Sequence, residues 1–407
     1  MNRTPFSNMK NPLPLLSIPA LLMTTSLGSA APAATFGDDL KFLRQHTGVV
    51  LLEDPAGGAR VAVVPAWQGR VMTSSAHGDA GDSFGWVNRE LIASGKVQPH
   101  INVFGGEDRF WLGPEGGQFS IFFAKGVPFD LANWFTPASL DTEPFAVVKQ
   151  STDSVLCRRD IKLTNYSGTR FELAVDREVR LVPAAQAVAS VGGKLSAGVR
   201  AVAFETVNTI KNTGAAAWTK DTGLLSIWIL GMFNASGEST IVVPFKQGAD
   251  AKLGPIVNDN YFGKVPSDRL VVKEGVLFFR GDARFRSKFG LSPRRSKDVL
   301  GSYDAANRTL TIVKFTLPKG ATDYVNSMWE LQKEPFSGDA VNSYNDDGKL
   351  GKFFELESSS PALALKPGAA ATHRHQTIHL QGDEKDLDAI AQATLGVPID
   401  SIRKAFK

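Results

Sequence analysis

Residues 351–380 read G-K-F-F-E-L-E-S-S-S-P-A-L-A-L-K-P-G-A-A-A-T-H-R-H-Q-T-I-H-L. Over residues 353–357 apolar and acidic side chains alternate with period two, the repeat of a β-strand. A strand here sets Glu355 and Glu357 on one face and Phe354 and Leu356 on the other. His373, His375 and His379 are also separated by even numbers, so they share a face if their strand is continuous. Similar short runs recur along the chain at residues 49–52, 61–64, 119–123, 145–149, 171–175, 199–207, 224–230, 240–243, 270–272, 276–279 and 310–315, bounded by Gly, Pro, Asn or Asp. Gly57-Gly58 and Glu274-Gly275 separate paired runs and read as hairpin turns. Helical periodicity is confined to residues 38–46 and to a tail at about 383–407, where Leu387, Ile390, Ala391 and Leu395 mark one face before Gly396. The expectation is an all-β protein, one large antiparallel sandwich spanning residues 35–407 with short terminal helices.

Composition agrees with a folded chain. Of 407 residues, 43% are hydrophobic and 21% charged, which excludes disorder, and one cysteine excludes a disulfide scaffold. The 26 phenylalanines suit the space between thick stacked sheets. The formal charge of +4 is too small to imply a nucleic-acid partner. Arg3 and Lys10 precede an apolar run broken by Pro14 and Pro19, and a small-residue stretch follows, with cleavage options after Ala31 or Ala33. Residues 1–34 therefore read as a signal peptide, and the mature chain as periplasmic or secreted, with no transmembrane segment. No lipid-accepting cysteine lies near the cleavage region. Without the leader the chain carries 43 basic and 41 acidic side chains and is nearly neutral.

Working outward from the carboxylate strand, the other chemically dense stretch is residues 102–123, N-V-F-G-G-E-D-R-F-W-L-G-P-E-G-G-Q-F-S-I-F-F. Paired glycines bracket Glu107, Asp108, Arg109, Trp111 and Glu115. Acidic groups, an Arg and a Trp suit a sugar, whose hydroxyls take charge-assisted bonds and whose C–H face stacks on aromatic rings. The equally weighted alternative is a pair of tight turns joined by a salt bridge. Glu355 and Glu357 on one face repel, so one of them is expected to hold a proton and serve acid–base work, although spacing does not say which. The three histidines offer substrate contact through His375, but alternating polar residues more often mark the wet side of a sheet. Arg284, Arg286 and Lys288 read foremost as a solvated strand leading into a basic turn. His77 and Arg70 are further candidates for substrate contact, and in a lyase reading His77 or a tyrosine such as Tyr344 would complete the catalytic pair. No metal set and no cofactor motif is found: the Lys-Ser/Thr ending of a phosphate loop, G-x-S-x-G and H-E-x-x-H are absent.

These residues resemble the galactose mutarotase-like superfamily, and more closely a secreted bacterial family within it. The likeness rests on Ala66-Trp67-Gln68-Gly69-Arg70-Val71, on Gly105-Gly106-Glu107-Asp108-Arg109-Phe110-Trp111, on Asn208-Thr209-Ile210-Lys211-Asn212-Thr213-Gly214, and on the Phe354-Glu355-Leu356-Glu357 strand followed by Leu365-Lys366-Pro367-Gly368. It spans roughly residues 42–381. The resemblance implies a β-supersandwich with a carbohydrate ligand on its concave face and a late-strand glutamate as base, matched here by Glu357 with Glu355 beside it. It also implies an acid histidine where this chain has Ser226-Ile227-Trp228-Ile229, and a second histidine where it has Val103-Phe104. Both departures count against ordinary mutarotation. The sequence thus points to sugar epimerisation or isomerisation, with a non-catalytic sugar-binding module, or a lyase or hydrolase on the same fold, as alternatives.

Overall fold

The structure is a computed structural model that describes residues 34–55 and 58–407. The expected leader, through Ala33, and Gly57 of the first hairpin lie outside the described residues. The alternating runs form antiparallel strands in three sheets. Ten strands make the largest, in the spatial order Leu270–Lys273, Val276–Arg280, Ser239–Pro244, Val299–Asp304, Thr309–Phe315, Ala370–Gln381, Arg200–Asn212, Arg170–Leu181, Ser154–Thr164 and Ala146–Gln150. Five make the second, in the order Ser287–Leu291, Val341–Asn345, Phe353–Ser359, Ser226–Asn234 and Arg109–Gly113. A three-stranded sheet, Val50–Glu53, Arg60–Val64 and Arg70–Ser75, completes the set. This is the all-β architecture expected from the alternation, with large antiparallel sheets and few short helices.

Period-two patterning decides what each face meets. Ile241, Val243, Leu277, Phe279, Val313 and Phe315 of the ten-stranded sheet pack on Phe289, Leu291, Val341, Phe354 and Leu356 of the five-stranded one. Their outward neighbours Val242, Phe278, Leu310, Ile312, Ile378 and Leu380 are covered by Leu387, Ile390, Ala391 and Leu395 of the helix Glu384–Leu395 and by Ile399 and Ile402 beyond it. That helix ends at Gly396 in the left-handed region, the stop the sequence signals. At the other terminus the helix Phe36–His46, capped by Thr35, covers Ala62, Val64 and Met72. Glu274 and Gly275, both at positive φ, turn one hairpin as expected.

Two expectations are corrected. Residues 119–123 are not a strand: behind the two glycines the backbone turns, with Ile121, Phe122 and Phe123 buried from a loop. The three histidines do not mark a wet face. His373, His375 and His379 lie on the inward face of Ala370–Gln381 and are at most 1% exposed, because that face packs into the sandwich against Ser358, Phe84, Phe233 and Phe315, while the helical tail covers the opposite face.

Candidate functional site

Glu355 and Glu357 share the outward face of the strand Phe353–Ser359, the face turned away from the ten-stranded sheet, while Phe354 and Leu356 enter the core. The antiparallel register gathers one side chain from every strand of the five-stranded sheet around them. Glu357 pairs with Leu230 and Asn342, and Leu230 in turn with Arg109. Glu355 pairs with Met232 and Tyr344, and Tyr344 with Lys288. Glu357 accepts hydrogen bonds at Oε2 from Trp228 Nε1 (2.9 Å) and from the Lys288 ammonium (3.1 Å). Lys288 Nζ also lies 4.8 Å from the ring centre of Trp228 and 5.5 Å from that of Tyr261. The Arg109 guanidinium stacks 4.2 Å over Trp111, whose edge meets Trp228. Tyr261 donates to Asp339 Oδ2 (2.7 Å), and Asn342 Nδ2 donates to the Tyr261 hydroxyl (3.2 Å). Trp228, Tyr261, Lys288, Asp339 and Asn342 line a recess of about 10 Å³, room for roughly one water.

Burial does most to set the protonation of this cluster. Glu355 is pushed up to about 8, first by desolvation and then by the charge of Glu357, with which it shares a hydrogen bond; Arg109 and Lys288 pull the other way. Two carboxyls in hydrogen-bond contact hold one proton between them. Glu357 has the indole N–H and the ammonium, so the proton resides on Glu355. Three observations agree. Glu357 Oε1 meets no other donor. The Arg109–Glu355 separation, 3.5 Å, is long for a charge-assisted pair. Lys288, although buried, is raised, because Glu357, Glu115 and Glu355 outweigh its desolvation. Asp339 is raised to about 6 by burial, against the hydrogen bonds from Tyr261 and Asn258. Glu115, half-buried at the rim, is raised by desolvation with Lys288 opposing, and takes a hydrogen bond from Trp329. The residue type and spacing could not choose between the two strand carboxylates; burial and the donors already held by Glu357 favour the proton on Glu355.

Of the residues singled out in the sequence, Arg109, Trp111, Glu115, Glu355 and Glu357 come together here. The others do not. Glu107, fully buried, binds His379 Nε2 (2.8 Å) and Ser74 Oγ (2.9 Å). Asp108 accepts from Arg177 Nη2 (2.6 Å) and Thr206 Oγ1 (2.8 Å) inside the core. Arg70 is buried and donates to the Gly105 carbonyl (3.0 Å), bracing the glycine turn. His375 Nδ1 meets Ser358 Oγ (2.8 Å), and so does His373 Nε2 (2.8 Å), on the inward side of the strand that carries Glu357 outward. His77 is exposed beside the short turn Gly78–Ala80. Consecutive residues at 107, 108 and 109 thus take three separate environments.

Residues 34–406 match a family of unknown function, DUF6786. The chain belongs to that family. No curated protein sequence matches this DUF6786 member. Among solved structures it is similar to the Slr1438 protein from Synechocystis sp. PCC 6803, at 13% identity over 83% of this chain and 96% of that one, with a TM-score of 0.51. It is also similar to a galactose mutarotase-like protein from Lactobacillus casei ATCC 334 (11% identity, 82% and 100% covered, TM-score 0.47) and to a galactose mutarotase related enzyme from Lactobacillus acidophilus (10%, 82% and 97%, 0.47). At such identities the likeness concerns fold alone.

Sequence reading missed half the DUF6786 cluster. Lys288 looked like one of a solvated basic series, yet its ammonium is held against Glu357. Trp228 was noted only as standing where a histidine was expected. Tyr261, Asp339 and Asn342 carried no motif. The signal for Lys288 was its place within S-K-F-G-L, a short apolar strand in which a lone charge needs a partner.

Proposed function

We propose that the outward face of the five-stranded sheet is a carbohydrate site in which Glu355 and Glu357 act as an acid–base pair on the anomeric centre of a sugar. The shared proton carries this reading. A carboxylate group that accepts from an indole N–H and an ammonium stands beside a carboxyl raised to about 8, and general acid–base chemistry uses that combination. In ring opening, Glu357 takes the proton of the anomeric hydroxyl while Glu355 gives its proton to the ring oxygen. Both oxygens are bonded to one carbon, so neighbouring carboxyls can address both. Ring closure on the other face of the carbonyl returns the two protons to their starting positions. Arg109, Asn342 and Glu115 supply donors and acceptors for the remaining hydroxyls, and Trp228 supplies a face for C–H stacking. This chemistry does not need the histidines that the superfamily resemblance implied. The recess is too small for a sugar as it stands, so Tyr261, Val325 and Ser327, which line its mouth, must part on binding. An export leader at residues 1–34 would place the site in the periplasm or outside the cell.

The experiment is NMR on the full mature chain with a panel of free aldoses, reading binding by saturation transfer and anomer interconversion by exchange spectroscopy. The expected result is accelerated interconversion by the native protein, and a loss of about 100-fold or more in Glu357→Gln with binding retained. Binding with no acceleration in the native protein would support a non-catalytic sugar-binding module instead. No binding of any aldose at millimolar concentration would end the carbohydrate reading.

A further inference from the structure

The geometry points to a second binding site, on the opposite side of the molecule's sheet stack, for a small oxyanion. Four neighbouring strands of the ten-stranded sheet place side chains in one row on its helix-bearing face. Arg180 pairs in register with Glu205, Glu205 with Gln376, and Gln376 with Lys314. Arg374 stands one step along the same strand as Gln376. The helix Ala184–Ser190 closes one side with Gln186 and Ser190, and Thr316 lies at the opposite rim. Together they form an open cup of about 280 Å³, close to the lower end of the range for small-ligand sites.

The charge in this cup is unbalanced. Three cations line it against one carboxylate, in a mature chain that is otherwise nearly neutral. Glu205 sits beneath both guanidinia and fixes them: its Oε2 accepts from Arg180 Nε (3.0 Å) and from Arg374 Nη1 (3.0 Å). Its side chain is 14% exposed, whereas those of Arg180 and Arg374 are 42% and 49% exposed. The carboxylate therefore lies at the floor; it also accepts from Arg180 Nη2, and Arg180 Nη1 and Arg374 Nη2 remain for a ligand. Lys314 is held over the cup by its bond to the Ser190 carbonyl (2.6 Å). Two oriented guanidinium forks and an ammonium match a carboxylate or phosphate group, which Arg binds in bidentate fashion. The carboxamides of Gln186 and Gln376 and the hydroxyls of Ser190 and Thr316 suit hydroxyl groups on the same molecule. The ligand class is a small hydroxylated oxyanion, such as a sugar acid or a phosphate ester, bound independently of the carboxylate pair.

Isothermal titration and backbone NMR shifts of the full mature chain test this, using inorganic phosphate, glucuronate and neutral glucose as probes. The expected result is saturable binding of phosphate and glucuronate below about 10 mM, weakening as salt rises, with shifts centred on Arg180, Gln376 and Ser190. Arg180→Gln and Arg374→Gln should each weaken binding by about tenfold or more, and Lys314→Gln by less, because charge-assisted bonds are lost while the exposed side chains contribute little to folding. Glu357→Gln should leave phosphate binding unchanged, which separates this site from the carbohydrate reading. If phosphate fails to bind at that concentration, if glucose perturbs the cup as strongly as glucuronate, or if both arginine variants bind like the native chain, the site does not exist.

Discussion

Replacing Glu355 with Gln removes the one titration that should stand out in the pH dependence of stability. In the folded chain the Glu355 carboxyl is raised to about 8 from an ordinary 4.5, chiefly by burial and then by Glu357. Between those values the folded state binds a proton that the unfolded chain has released. Stability must then fall as pH rises through the window, by about 1.4 kcal/mol per unit where the difference is complete. Over the whole interval the loss is on the order of 5 kcal/mol, an amount comparable with the net stability of an ordinary domain. Gln at this position keeps a donor toward Glu357 and an acceptor toward Arg109 but has no proton to lose. The variant should be close to native stability near pH 5 and clearly more stable at pH 8 to 9. Urea denaturation of both proteins at unit steps from pH 5 to pH 9 provides the test. Other titrations, including Asp339 at about 6, are common to the two chains and cancel in the difference. Parallel profiles across this range would refute the shared proton, and with it the acid–base reading of the pair.

Two further changes probe the frame around the site. Gly105→Ala places a Cβ 2.0 Å from the Trp86 carbonyl oxygen at φ +94°, and should destabilise by about 3 kcal/mol or more. Gly396→Ala, in the left-handed helical region at φ +74° with open space around it, should cost only about 1–2 kcal/mol. Equal midpoints for the two variants in urea would contradict the packing described. Ser358→Ala strips both His373 and His375 of their shared hydroxyl and should cost about 2–3 kcal/mol. Burial lowers those imidazoles to about 3 and about 4, so the unfolded chain takes up protons first and stability should fall as pH drops below about 6.5. Nitrogen chemical shifts showing both rings neutral at pH 5 are expected, and protonated rings at that pH would refute it.

The sheets were legible because period-two alternation survives in almost every strand: Ile241, Val242 and Val243 read as apolar whichever face they meet. The carboxylate strand was legible for the same reason, since two glutamates separated by one leucine must share a face. The histidine face was misread because periodicity states which residues lie together and not which side is covered. Leu387, Ile390 and Leu395 cover the opposite face, which leaves the histidines facing the interior, where Ser358, Phe84 and Phe233 enclose them. The run at 119–123 failed differently: three aromatic residues promised a strand, but the glycines before it let the backbone turn and the rings pack from a loop. Lys288, Tyr261 and Asp339 reach Glu357 only through pairing across the sheet and the loop beside it, contacts that no local pattern encodes.

Counting charge at the outward face shows why it should hold protons. Glu115, Glu355, Glu357 and Asp339 face two cations, Arg109 and Lys288, and most of these groups are buried. Four ionised carboxyls would leave two negative charges without partners in a poorly solvated region, a cost that protonation relieves. Glu357 holds the nearer cation and the indole. Glu355, Asp339 and Glu115 are all raised, as the excess requires. Inward of the five-stranded sheet the arrangement is the opposite: Asp108 is matched by Arg177, and Glu107 is hydrogen-bonded to His379. One sheet thus separates paired charge, which serves the core, from an acid excess, which stores exchangeable protons. That asymmetry supports the proposed acid–base chemistry at the outward face, where Glu355 is raised to about 8.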